Sequence, residues 1–151
     1  MVRRGRDIWI RQADPDPAAK SEIPSVRAWN VAVAWDFSRP AARAVSDALP
    51  LLEKAKKVRV VTILNEKQLD SKHSAEELST NLSRHGIDVI LDRVDAKGMP
   101  IGDVLEAYVA SNAADMLVMG AYGHSRLREF VMGGATKSLL SKPPLPILVS
   151  H

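Results

Sequence analysis

The residues best suited to chemistry are three glycines in one stretch. Gly120, Gly123 and Gly133 follow the spacing Gly-x2-Gly-x9-Gly and stand directly behind the apolar run Met116-Leu117-Val118-Met119. Gly134, Ala135 and Thr136 come next, at the start of a helical pattern. Glycine lets a backbone take positive φ and come close to a ligand with no Cβ in the way. A helix N-terminus just beyond supplies unpaired N–H groups and the positive end of its dipole, which suits phosphate. The stretch reads as a nucleotide site, the bland alternative being ordinary loop glycines. His124, Arg126, Arg128 and Lys137 crowd the same loop, either to meet phosphate charge or to form a solvated face. No Lys follows a Gly-x4-Gly, so this is not a Walker A loop. No paired aspartates suggest metal-assisted phosphoryl transfer. With no cysteine and no ligand spacing among His73, His85 and His151, no structural metal is assigned.

These residues need elements to position them. Val31-Ala32-Val33-Ala34-Trp35 is a short buried-strand pattern bounded by Asp36 and Ser38. Ser38 can cap a helix running from Pro40 to Lys56, within which Pro50 predicts a kink or an early end. Val58 to Leu64 is a second strand, followed by a polar loop from Asn65 to His73. Ser74-Ala75-Glu76-Glu77 is a capping box, and Gly86 is the left-handed stop of the helix it opens. Ile87 to Val94 alternates as a third strand near an edge. Ile101 to Ser111 is a helix, Met116 to Gly120 the fourth strand, 134–141 a short helix and Pro146 to Ser150 the last strand.

Strands alternating with helices predict an α/β domain: an open parallel five-stranded sheet with helices on both faces. Right-handed crossovers give the order 3-2-1-4-5. Strands 1 and 4 then flank the switch point, where such sheets bind ligands at their carboxyl ends. Asp36 ends the first of these strands and Gly120 the second. Two features chosen independently thus converge on one crevice. Asp36 is alternatively only a cap or turn residue, and Met119 only core. Thr62 or Ile63 is expected to wall a base pocket from strand 2.

The glycine spacing with its following hydroxyl resembles the nucleotide loop of the universal stress protein family. Trp29 to Ser38, the helix from Pro40 to Leu52 and the closing Pro146 to His151 fit the same resemblance, which spans roughly residues 29–151. The wording is most similar to the second half of tandem members. The resemblance implies a Rossmann-like, adenine nucleotide alpha hydrolase-like fold and a sensor module binding ATP or a related adenine nucleotide, with Mg2+ reaching the site only through bound phosphates. It places Asp36 near the adenosine, Met119 by the base, Thr136 at a phosphate oxygen and Gly120, Gly123 and Gly133 in the phosphate loop; Thr62, from topology, and His124, Gly134 and Ala135, from their place in the loop, complete the candidate ligand-binding set. Gly134 departs from the family pattern, which carries serine or threonine there. That costs one hydroxyl contact, on the order of 1 kcal/mol. A nucleotide-free interaction protein and a slow ATP hydrolase are the rival readings, and no general base is identifiable.

Composition sets the frame. The chain has 151 residues, 46% hydrophobic and 26% charged, enough for one domain with a core of its own. The absence of cysteine excludes a disulfide framework or thiolate nucleophile and fits a reducing cytoplasm, where the protein is expected. No apolar run is long enough to span a bilayer, and Ile8-Trp9-Ile10 is too short for a signal peptide. Residues 1–12 hold four arginines against one aspartate, which equals the whole formal net charge of +3. The basic balance therefore belongs to a tail and does not argue for nucleic-acid binding by the domain. Residues 1–28, with Pro15, Pro17 and Pro24, read as an arm or linker ahead of a domain at 29–151. Ile8-Trp9-Ile10 in that arm could dock on the domain or on a partner subunit. The last strand is expected at the sheet edge with nothing of the chain's own to cover it, and so to pair with its mate in a homodimer through 146–150. A regulatory protein partner is also expected.

Overall fold

The structure, a computed structural model, describes residues 2–4, 8–11, 29–64, 75–120 and 144–150. In chain order its elements are β1 (Val2–Arg4), β2 (Ile8–Arg11), β3 (Asn30–Ala34), α1 (Arg39–Leu52), β4 (Lys57–Leu64), α2 (Ala75–Arg84), β5 (Val89–Asp95), α3 (Ile101–Ser111), β6 (Met116–Gly120) and β7 (Ile147–Ser150). They build one sheet in the order β1-β2-β7-β6-β3-β4-β5. The five strands from β3 to β7 are parallel and stand in the expected 3-2-1-4-5 order.

Alternation along the strands sorts the core into two layers. Val31 and Val33, Val58 and Val60, Met116 and Val118 pack with Ala44, Val45, Ala48 and Leu52 of α1 and with Leu82 of α2. Ala32, Val61, Leu117, Met119 and Ile147 pack on the other side with Leu105, Tyr108 and Val109 of α3. A strand buried on both faces must be apolar at every position, and β6 is buried throughout. Each fully buried Leu or Val in these layers contributes about 1.5–3 kcal/mol.

Local signals behave as their chemistry dictates. Ser38 is the N-cap of α1, its side chain accepting from the Ala41 amide at 3.2 Å. The helix ends at Leu52, short of Lys56, with Pro50 accommodated in its last turn. The Lys56 amide then donates to the Trp29 carbonyl at 2.8 Å and leads the chain into the sheet. Gly86 closes α2 with φ of +74°, a conformation that side chains rarely tolerate.

The arm differs from expectation. Residues 2–4 and 8–11 are strands of the domain's own sheet, with β2 antiparallel to β7 in the register Trp9↔Val149, Ile10↔Leu148 and Arg11↔Ile147. β1 pairs antiparallel outside it, Val2↔Ile10 to Arg4↔Ile8. The whole sheet therefore has seven strands, and β7 is an interior strand instead of an edge. The physical reason is the one that made an uncovered edge improbable: an apolar strand with a free row of N–H and C=O groups recruits whatever strand can reach it. Ile8-Trp9-Ile10, read as a docking cluster, supplies that strand.

Candidate functional site at the strand switch point

The order reverses between β3 and β6, which lie side by side with Val31 opposite Met116 and Val33 opposite Val118. β3 continues past Ala34 with the Trp35 amide still donating to the Val61 carbonyl at 2.9 Å. The chain then turns sharply at Asp36. One carboxylate oxygen, Oδ1, accepts from the Ser38 amide at 3.0 Å, and Phe37 between them has φ of +64°, unusual for a bulky residue. This turn delivers Ser38 to its capping position.

The second oxygen of Asp36, Oδ2, is buried and has no hydrogen-bond partner among the described residues. The same holds for Thr62 Oγ1 and Trp35 Nε1. Trp35 and Asp36 directly follow the end of β3, and Thr62 lies near the carboxyl end of β4, the strand paired with it. Burying a polar group unpaired costs on the order of 1–3 kcal/mol, so each such atom in a native protein calls for a partner.

Gly120 closes β6 beneath the start of α1. A Cβ there would stand 2.8 Å from Pro40 Cβ and nearer still to the backbone of Pro40 and Ala41. The residue must be small for the helix N-terminus to sit on the strand end. Its place is thus decided by protein packing, and that packing draws the α1 amides up to the crevice.

Of the site residues read from the sequence, Asp36, Met119 and Gly120 come to neighbouring strand ends. Met119 is buried in the α3 layer. Thr62 is 6% exposed and shares the face of Val60, whereas Ile63 shares the face of Val61 and packs against the α3 layer. The sheet therefore sends the two candidate wall residues to opposite faces. Gly123, His124, Gly133, Gly134, Ala135 and Thr136 lie outside the described residues, as do Arg126, Arg128, Lys137 and the predicted helix at 134–141. Among the described residues no group of three or more His, Cys, Asp or Glu side chains is gathered that could hold a metal ion.

Two features escaped the sequence reading. Trp35, next to Asp36, carries a buried indole N–H without a partner among the described residues and packs against the α1 layer, and Phe37 meets its ring edge-on, with centroids 5.9 Å apart and 37% of its surface exposed. The signal was available, since an aromatic pair flanks Asp36 in Trp-Asp-Phe. Elsewhere, Asp92 Oδ2 accepts from Arg59 Nη1 at 2.7 Å and from the Tyr108 hydroxyl at 2.5 Å, tying β4, β5 and α3 together. Burial, first, and this bond to Asp92 push the Tyr108 phenol well above its usual range, and Asp92 holds the Arg59 guanidinium charged. Nothing in the spacing of residues 59, 92 and 108 foretold that contact.

Set against known proteins, residues 29–151 match the model of the universal stress protein family. A stretch of 46 residues, 30% of the chain, is 44% identical to the universal stress protein Slr1230 of Synechocystis sp. and spans 16% of that protein's length. Among solved structures, the universal stress protein UspA of Lactobacillus plantarum superimposes with a TM-score of 0.62 at 15% identity, covering 83% of this chain and 99% of that one. A universal stress protein solved in complex with cAMP superimposes with a TM-score of 0.59 at 21% identity, covering 82% and 97%. At these identities the structural likeness is one of fold.

Proposed function

The chain belongs to the universal stress protein family, and from that premise we propose that it binds ATP or a related adenine nucleotide at the carboxyl ends of β3 and β6 and acts as a regulatory module. The observation that carries the reading is the unpartnered, buried Oδ2 of Asp36 at the switch point; Thr62 Oγ1 in β4 and Trp35 Nε1 just past β3 are likewise buried and unpartnered among the described residues. These atoms fit a nucleoside. A carboxylate oxygen accepts from ribose hydroxyls or an exocyclic amine, a threonine hydroxyl donates or accepts, and an indole N–H donates. A bound nucleoside would satisfy groups whose isolation otherwise costs stability. The solved relative holding cAMP supports an adenine-containing ligand for this fold. The phosphates would fall to the loop bearing Gly123 and Gly133, as the family resemblance implies, carrying any Mg2+ with them.

Function then follows by linkage. A nucleotide that binds one arrangement of the crevice stabilises it by mass action and shifts the surface offered to a regulatory partner. The test is calorimetric titration of nucleotide-stripped protein with Mg-ATP and with cAMP. One nucleotide per chain, bound in the micromolar range or tighter, is expected, and binding is expected to weaken in Asp36→Ala. No heat up to millimolar nucleotide of either kind overturns the reading.

A further inference from the structure

The row of groups that β7 turns away from β6 is already taken. The Leu117 amide donates to the Pro146 carbonyl at 3.0 Å, so the Pro146 carbonyl faces β6. Backbone groups alternate sides along a strand. Those of Leu148 therefore face β6 as well, and those of Ile147 and Val149 face outward to β2. The hydrogen-bonded pairs between β2 and β7 are thus Arg11 with Ile147 and Trp9 with Val149. A second strand cannot use the same N–H and C=O groups.

We propose that the β1–β2 pair is a built-in cap on β7, holding the chain monomeric by occupying the edge on which a second copy of this chain would otherwise dock. β2 lies antiparallel on β7, which shows the strand direction that edge accepts. Two copies of β7 related by a two-fold axis meet antiparallel as well, so a mate and β2 compete for one geometry. The competition is unequal: β2 is tethered to β3 through residues 12–28, which makes its pairing intramolecular. The cap also changes what the outside meets. In place of β7, the free edge of the sheet on that side is β1. The inference stands independently of nucleotide binding.

Sedimentation velocity over a concentration series, combined with amide hydrogen exchange, tests it. The full chain is expected to sediment as a monomer at micromolar concentration with the Ile147 and Val149 amides protected. Trp9→Pro removes the donor to Val149 and is expected to double the sedimenting mass. A synthetic peptide of residues 2–11 added to that variant should return it to monomer. A variant lacking residues 1–11, which keeps all of 29–151, should dimerise in the same way and serves if the proline variant fails to fold. A full chain that is already a dimer overturns the proposal, as does a monomeric full chain whose Ile147 and Val149 amides exchange freely. A monomeric uncapped chain overturns it too.

Discussion

Asp36 divides its carboxylate: Oδ1 receives the Ser38 amide at 3.0 Å, while Oδ2 is buried without a partner among the described residues. One side chain thus shapes the entrance to α1 and offers a free acceptor at the switch point. Asp36→Asn separates the two duties, because the amide keeps the oxygen needed for the turn and replaces the other by a donor. The expected result is a nearly unchanged melting temperature with ATP affinity lowered by roughly ten- to a hundredfold, the worth of one hydrogen bond to a charged group, about 1.5–3 kcal/mol. Calorimetry that shows equal affinity in the two proteins removes Asp36 from the site.

Ser38→Ala acts on the neighbouring link alone. It deletes the oxygen that accepts from the Ala41 amide and keeps the backbone amide that Asp36 binds. A loss of about 0.5–2 kcal/mol is expected from the missing cap, with nucleotide affinity preserved. Chemical denaturation and calorimetry on one preparation check both halves.

Gly120→Ala tests close packing at the end of β6. The added methyl meets backbone atoms of Pro40 and Ala41, which cannot swing aside as a side-chain tip could. Overpacking of this kind costs about 1–3 kcal/mol, which at this chain length is roughly 2–4 °C of melting temperature per kcal/mol. A variant as stable as the parent, measured by calorimetric melting, refutes the contact.

Tyr108→Phe leaves Asp92 with Arg59 but without its hydroxyl donor. About 1 kcal/mol is expected to be lost near neutral pH. The pH dependence has a definite sign. The folded phenol titrates above its unfolded value of 10.0, so the folded state keeps a proton that the unfolded state releases. That stability is fully present below pH 10.0 and declines as pH rises beyond it. Denaturant melts between neutral and strongly alkaline pH should show a steeper alkaline loss in the parent than in the variant. Parallel profiles contradict the buried network.

Periodicity and punctuation by themselves determined the parallel core of this protein. Val31 to Ala34 and Met116 to Gly120 are apolar on both faces, and Val58 to Leu64 is so apart from Arg59 and Thr62, a pattern expected of parallel strands covered by helices on both sides. Gly86, Ser38 and Pro50 mark helix boundaries by local chemistry that needs no distant partner. The order 3-2-1-4-5, and with it the meeting of Asp36 and Gly120, followed from the handedness of the crossovers. Tertiary structure alone decided the rest, because it depends on which distant groups meet. Asp92 finds Tyr108 and Arg59 across two strands and a helix. Thr62 and Ile63 part to opposite faces by a single residue of register. Residues 8–11 carry too short an apolar run to announce a strand, and they become one because β7 presents a row of hydrogen-bonding groups for them to complete.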